Sequence, residues 1–441
     1  MNNYQKFFFV FFICTCIICF SPLKALPYIF PLFFVFVSQF FFNRILRVLF
    51  LGLFIASLFV LYRVIYGNVL VAQNFIISVF TYSSFIPIFF VDYKRLYSEE
   101  LEEKIVRFIT GLMIVQSIIG IIQALYGFSV NRSFDVANGD YVEGTIAPGL
   151  MAEQSFSNVM FVSNMVFLLN FLLPIFLKGK LTSKWPFYLS VFVVLLASVV
   201  HSVLIYSVSL VIAFLIIKPR IFRISKSGIK KLIVVGSLIG IVTSILLREN
   251  FRQIPNAVVN IASPEFPRAI ITLRVLTEIP GVAPMQPWIG LGPGQFCSRA
   301  SLLSSGIYLG GLENPRGLPL IGTARNMIAD SYLFSLVEEW ANVTYLGSSN
   351  QPYYSFLSIY SEMGIIGLIA FLLCMVRLMF IVMKVSHERN TLKIECFTFF
   401  AGATYLLMLG MQENYYEVPQ AIFIGVLLLQ FTYAKIRYAK V

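Results

Sequence analysis

The chain has 441 residues, of which 58% are hydrophobic, 16% aromatic and only 12% charged, with a mean hydropathy of +0.83. Roughly a quarter of the residues of a soluble domain are charged, so an ordinary soluble fold is excluded, and so much apolar sequence also excludes a single-span receptor or a small channel subunit. In a soluble protein the net charge of +12 would suggest nucleic acid; in a membrane protein it is first a question of topology.

Apolar runs bounded by charge or by Pro/Gly clusters predict twelve spans, near 7–22, 27–43, 48–66, 70–91, 105–126, 149–177, 186–200, 203–217, 232–247, 354–383, 394–411 and 418–434. The run after Lys6 is followed by no small-x-small cleavage pattern and is read as a retained first helix. Between Trp185 and Lys218 the sequence allows two short helices meeting at His201 and Ser202, or a single kinked one that would change the parity.

Lys and Arg resist translocation and collect in short cytoplasmic loops. With twelve spans and both termini cytoplasmic, 23 of the 33 basic residues and 7 of the 21 acids lie inside, which leaves about +16 on that face and −4 on the other. The basic excess is therefore topological, and no nucleic-acid partner is expected. Four cysteines, Cys14, Cys16, Cys19 and Cys374, lie within spans, Cys396 stands near a cytoplasmic boundary and Cys297 is in an outer loop, so no external disulfide is expected. His201 and His387 are isolated, and no metal-ligand spacing occurs.

The expected organisation is a membrane domain over 1–247, with about nine spans and a smaller outer loop near 127–148. A large outer loop follows over 248–352, and the last three spans occupy 353–441. Transporters built from repeats show matched halves and interrupted helices in corresponding positions. One lopsided outer loop instead favours chemistry at the outer face.

Inside that loop, SPEFPRAIITLRVLTEIP reads as a helix capped by Ser263, with Pro264 at its first position and Pro280-Gly281 as its stop. A second helix is expected over about 329–346, where Leu333, Leu336, Val337 and Trp340 fall on one face to pack on the membrane domain or the lipid interface. Between them stands PWIGLGPGQF, and the Gly/Ser/Pro-rich stretch that follows it to Arg325 reads as loop.

The loop and its flanks hold Arg248, Arg252, Arg268, Arg274, Arg299, Arg316 and Arg325, and no lysine. An all-arginine set suits bidentate recognition of phosphate, diphosphate or carboxylate. Helix-surface pairing competes with that reading, since Arg274 stands four residues before Glu278 and Arg268 three after Glu265. The Gly290–Gly294 cluster offers amides for an anion nest or for a plain turn. Ser355, Ser358 and Glu362 form a polar stripe at the start of the tenth span, and Glu362 there needs a hydrated cavity, a partner or an interfacial position. Glu143, Glu153, Asp330, Glu338, Glu339, Glu413 and Glu417 are further outer carboxylates among which spacing does not choose a base.

Three pieces in order, EGTIAPGLMAEQSFSNVM (143–160), an arginine-bearing helix leading into PWIGLGPGQF (287–296), and YYSFLSIYSEMGIIGL with Glu362, Gly364 and Gly367, resemble the O-antigen polymerase and ligase superfamily of bacterial inner-membrane glycosyltransferases. The resemblance implies an all-α polytopic fold of about 12 transmembrane helices, like that of the lipid-linked-sugar (GT-C-like) glycosyltransferases, with a partly helical periplasmic loop. It also implies metal-independent, cofactor-free transfer of glycan from undecaprenyl diphosphate to a new lipid-linked repeat unit. A bilayer, an undecaprenyl-diphosphate-linked oligosaccharide, a chain-length regulator and a flippase are the partners that go with it. The ligase branch places a histidine eleven residues before the first closing glycine. Here that position is Tyr353, which favours repeat-unit polymerisation over ligation to a lipid A core, with a lipid-linked-oligosaccharide flippase as the alternative from another class. The site residues implied are Arg274, Arg268, Arg299 and Arg325 on the diphosphate, and Glu362 with Tyr353 as catalytic residues near the acceptor.

Overall fold

The computed structural model describes residues 1–132, 141–147, 157–219, 267–307, 314–318, 322–336 and 354–439. Among these, the regular secondary structure is helical: α1 (Asn3–Cys19), α2 (Leu26–Phe41), α3 (Ile45–Tyr66), α4 (Ala72–Thr81) and a 3-10 turn (Ser83–Phe89), α5 (Glu99–Asn131), α6 (Ser157–Leu177), α7 (Trp185–Leu196) and α8 (Val200–Ile217). The loop contributes α9 (Pro267–Thr277), α10 (Ile279–Val282), α11 (Gln286–Ile289), α12 (Arg299–Ser305) and α13 (Met327–Ala329), which runs on as a π-helix over Asp330–Phe334. The chain closes with α14 (Ser355–Glu388), α15 (Lys393–Gln412) and α16 (Pro419–Tyr438).

The protein is an all-α, multi-spanning membrane protein. Among the described residues, six helices are long and apolar enough to cross a bilayer, and the pair made by α4 and its 3-10 turn, bent by 63°, makes seven if it is one broken span. Helices α1, α2, α7 and α8 are apolar but shorter, so length and composition alone do not reach the twelve spans expected. The expected span at 232–247 lies outside the described residues. Residues 186–217 form two helices, separated at Ala197–Val199 with Ser198 in the left-handed region at φ 55°.

Local chemistry sets several helix starts. Asn2 and Gln5 form a reciprocal capping box on α1. Ser98 accepts from Leu101 N at 3.2 Å at the head of α5, whose first turn carries Glu99, Glu100 and Glu102 where the helix dipole favours negative charge. The bundle is built around α6, α15 and α16, whose apolar windows are 83%, 78% and 89% buried; α3 and α14 lie at the periphery at 6% and 11%. Backbones approach closely where small residues allow it: a Cβ at Gly425 would meet the Phe167 ring at 2.5 Å, and one at Gly402 would meet Asn170. Between helices, Asn164 donates to Gln420 O at 2.8 Å, Ser163 to Ala421 O at 2.9 Å and Asn170 to Thr398 O at 3.0 Å.

One end of the bundle, the lysine end, is closed by ion pairs: Lys178 to Glu395 at 2.5 Å, and Lys435 to Glu102 at 2.6 Å and to Glu395 at 3.2 Å. The opposite, loop end carries α9–α13, which enclose a second small core of Ile271, Val275, Ile279, Leu291, Phe296, Leu333 and Leu357.

Candidate functional site at the loop end

The site begins with a break in α14. Gly364 leaves the helical conformation at φ 65°, ψ −172°, and the carbonyls freed one turn earlier are taken up from outside the helix. Leu291 N donates to Ser361 O and Gly292 N to Glu362 O, both at 2.9 Å. Two glycines make this approach possible. A Cβ at Gly290 (φ 76°) would stand 2.0 Å from the Glu362 carbonyl carbon, and one at Gly364 would stand 2.2 Å from the Trp288 carbonyl. No side chain fits at either position.

The Glu362 carboxylate lies inside the same loop and is fully buried. It accepts from Gly294 N at 2.7 Å and Phe296 N at 3.0 Å, with Ser298 as a further donor. The glycine-rich run is thus an anion nest whose anion is the protein's own carboxylate. The rest of the polar stripe points the same way. Ser355 Oγ donates to Glu413 O at 2.9 Å, and Ser358 Oγ lies 2.7 Å from Cys297 O and 3.1 Å from Asn414 Oδ1. Asn414 Nδ2 donates to Cys297 O at 2.9 Å. The partner required by Glu362 is therefore the loop that carries α9–α13, and the stripe faces protein.

The loop is also tied to the first spans. Tyr62 and Tyr66, one turn apart on α3, donate to Ile289 O and Gly290 O, each at 2.6 Å. Gln295 pairs with both main-chain groups of Val71, at 2.9 and 3.0 Å, and Asn326 donates to Val69 O at 2.9 Å.

Glu417 stands at the head of α12, where it accepts from Arg299 N and, at 3.1 Å, from Tyr82 OH at the bend after α4. Burial and the neighbouring Glu362 carboxylate raise its pKa. Glu413, at the end of α15, is held up at about 7 by burial, with the charges of Arg268 and Arg299 opposing. Arg268 donates to Gln412 O, and its guanidinium lies 4.8 Å from the Tyr354 ring centre. Its buried Nε has no hydrogen-bond partner among the described residues, and neither does the side-chain amide of Gln412 beside it.

The four arginines singled out in the sequence fall into two groups. Arg268 and Arg299 both act on Glu413. Arg274 and Arg325 instead serve the Asp330–Phe334 segment. Arg274 donates to Tyr332 O at 3.0 Å and lies 3.9 Å from Glu278; Arg325 pairs with Asp330 at 3.2 Å and lies 5.8 Å from the Phe334 ring centre. Arg268 and Arg274 are six residues apart, which at 3.6 residues per turn puts them on different faces of α9. Tyr353 lies outside the described residues, as do Ser263, Pro264, Glu265, Val337, Trp340, Arg248 and Arg252.

One expectation is corrected. The stretch after PWIGLGPGQF is not loop throughout, because α12 forms over Arg299–Ser305 with Ser298 as N-cap, accepting from Ser301 N at 3.3 Å, and Gly306 in the left-handed conformation as its stop. That Ser-to-Gly punctuation is legible in the sequence. The sequence reading also left Glu417 and Glu413 unranked and passed over Tyr62, Tyr66, Tyr82 and Gln412. The only signal for them is that they sit at the ends of apolar segments, where polar groups face either water or protein.

Comparison with known protein families, with curated proteins and with solved structures finds no match to this chain.

Proposed function

We propose that the chain is a polysaccharide repeat-unit polymerase, transferring a glycan from undecaprenyl diphosphate to a new lipid-linked repeat unit on the loop side of a bacterial inner membrane. In this reading twelve spans place both termini in the cytoplasm, and the loop side is the periplasm. The observation that carries it is the corner formed by Arg268, Arg299, Gln412 and Glu413, where the Arg268 Nε and the Gln412 amide have no partner among the described residues beside a carboxylate held near neutrality. Buried polar groups are normally satisfied, and donors without partners beside fixed positive charge suit a diphosphate leaving group, whose negative charge grows in the transition state.

In the transfer, an acceptor hydroxyl attacks the anomeric carbon, the bond from that carbon to the diphosphate oxygen breaks, and the hydroxyl proton passes to a base. Glu413 suits the base, since its pKa of about 7 lets it accept a proton at neutral pH. Glu362 is the poorer choice, because main-chain amides occupy both its oxygens; its part is to position the loop. Arg268, whose Nε has no partner among the described residues, takes the diphosphate role ahead of Arg274 and Arg325, whose guanidiniums are engaged with Tyr332 and Asp330, and Arg299 adds its charge beside Glu413.

The test is purified protein in detergent with lipid-linked repeat units. A ladder of longer glycans, lost in Arg268→Ala and in Glu413→Gln and retained in Arg274→Ala, is expected. A folded protein that produces no ladder with its cognate repeat unit would overturn the proposal.

A further inference from the structure

The segment from α9 to α11 is apolar on two opposite faces. Ile271, Val275, Ile279 and Ala283 turn inward to the small loop core, and each is less than 5% exposed. The opposite face is apolar as well: Leu273, Leu276, Val282, Met285 and Trp288 are 59%, 52%, 56%, 48% and 60% exposed. From Ile279 to Ser298 the chain carries no charged residue. Water is an unfavourable neighbour for such a face, and contiguous apolar patches of this kind mark an interaction site.

The surroundings identify the occupant. Residues Trp288–Gly290 are wedged between α3 and α14, the two most lipid-exposed helices of the bundle. Tyr62 and Tyr66 bind the wedge from one side, and the Trp288 carbonyl abuts Gly364 on the other. Just past Gly364, α14 exposes Ile366, Ile369 and Leu373, so the apolar face of α9–α11 continues into a face that bilayer lipid must cover. Trp and Tyr together mark the level where hydrocarbon meets headgroups. Arg274 and Glu278, the charges on this stretch, stand at its α9 end.

We infer that residues 273–288 form an interfacial helical segment embedded in the loop-side leaflet, with Leu273, Leu276, Val282, Met285 and Trp288 inserted at the headgroup–acyl boundary of the bilayer. The large outer loop is then anchored to lipid by its own side chains, and Arg268 lies on the same short helix at headgroup depth. An interfacial helix inserts its apolar face by roughly 5–10 Å, which is where a lipid-borne headgroup is met. The inference does not depend on the activity proposed above.

The test uses the full chain in phosphatidylcholine vesicles, with Trp185→Phe and Trp340→Phe leaving Trp288 as the single tryptophan. Lipids brominated high in the acyl chain are expected to quench Trp288 roughly twofold more than lipids brominated near the chain ends, with little quenching by aqueous iodide. Strong iodide quenching without bromolipid quenching overturns the inference and leaves the segment in water. Exclusion of both quenchers also overturns it, and assigns the face to a second copy or to another part of the chain. If the double variant does not fold, the difference between wild-type and Trp288→Phe emission gives the same readout.

Discussion

Both ends of the bundle bury polar groups, and they do so by opposite means. At the lysine end Lys178, Lys435, Glu102 and Glu395 balance two charges against two, with side-chain partners 2.5–3.2 Å apart. At the loop end Glu362 and Glu417 are held by main-chain amides and tyrosine hydroxyls, while Arg268 is turned aside onto a carbonyl and an aromatic ring. At the lysine end every one of these charges has an ion-pair partner. The loop end holds Glu362 and Glu417 mainly through main-chain amides, while Arg268 and Arg299 bear on Glu413 and leave the Arg268 Nε without a partner among the described residues.

The contrast is broken most severely by filling the glycine contact. Gly364→Ala or Gly290→Ala puts a methyl group about 2 Å from main-chain carbonyl atoms at a positive φ. A loss of about 5 kcal/mol or more is expected, seen as failure to recover folded protein or as protease cleavage of the loop. At the lysine end, Lys435→Met leaves Glu102 without its cation, and a loss of about 3–5 kcal/mol is expected, read as a fall in detergent Tm that raising the salt does not restore. Glu362→Gln keeps one acceptor and turns an amide toward donors, costing about 1–3 kcal/mol; loop protection in hydrogen exchange should fall while that of α6 and α16 is unchanged.

The smallest effect is a pH slope. Glu413 has a folded pKa of about 7, above the ordinary 4.5, so between those values the folded protein holds a proton that the unfolded chain has released. Stability therefore falls as pH rises through this window, by no more than about 1.4 kcal/mol per pH unit, and levels off above pH 7. Glu413→Gln should flatten that slope. A wild-type Tm that rises from pH 5 to pH 7 would sink the assignment.

Much of the fold is legible because the helices are set by hydropathy: within the described residues, the apolar runs from 7–22 to 203–217, and from 354–383 onward, fall on helices or on the bent α4 pair. The stripe of Ser355, Ser358 and Glu362 was equally legible, since i, i+3, i+7 spacing fixes a face. Its partners were not. Main-chain amides have no residue-specific signature, and a glycine-rich run reads the same as a nest or as a plain turn. For the same reason the all-arginine pattern does not sort its members, because Arg268 and Arg274 separate only when the faces of α9 meet different neighbours.

The break at Gly364 has a consequence for how the protein is made. Its stitches come from Tyr62 and Val71 near the start of the chain, from 289–299 in the loop, and from Glu413, Asn414 and Glu417 between the last two helices. Partners this distant in sequence form late, because long segments must be closed before any contact rewards the closure. During biosynthesis the loop waits for the turn at Glu413–Glu417, and a chain cut short before Glu413 carries its arginines without the residues that face them. Synthesis through Glu417 is thereby a condition for the corner at Arg268 to form.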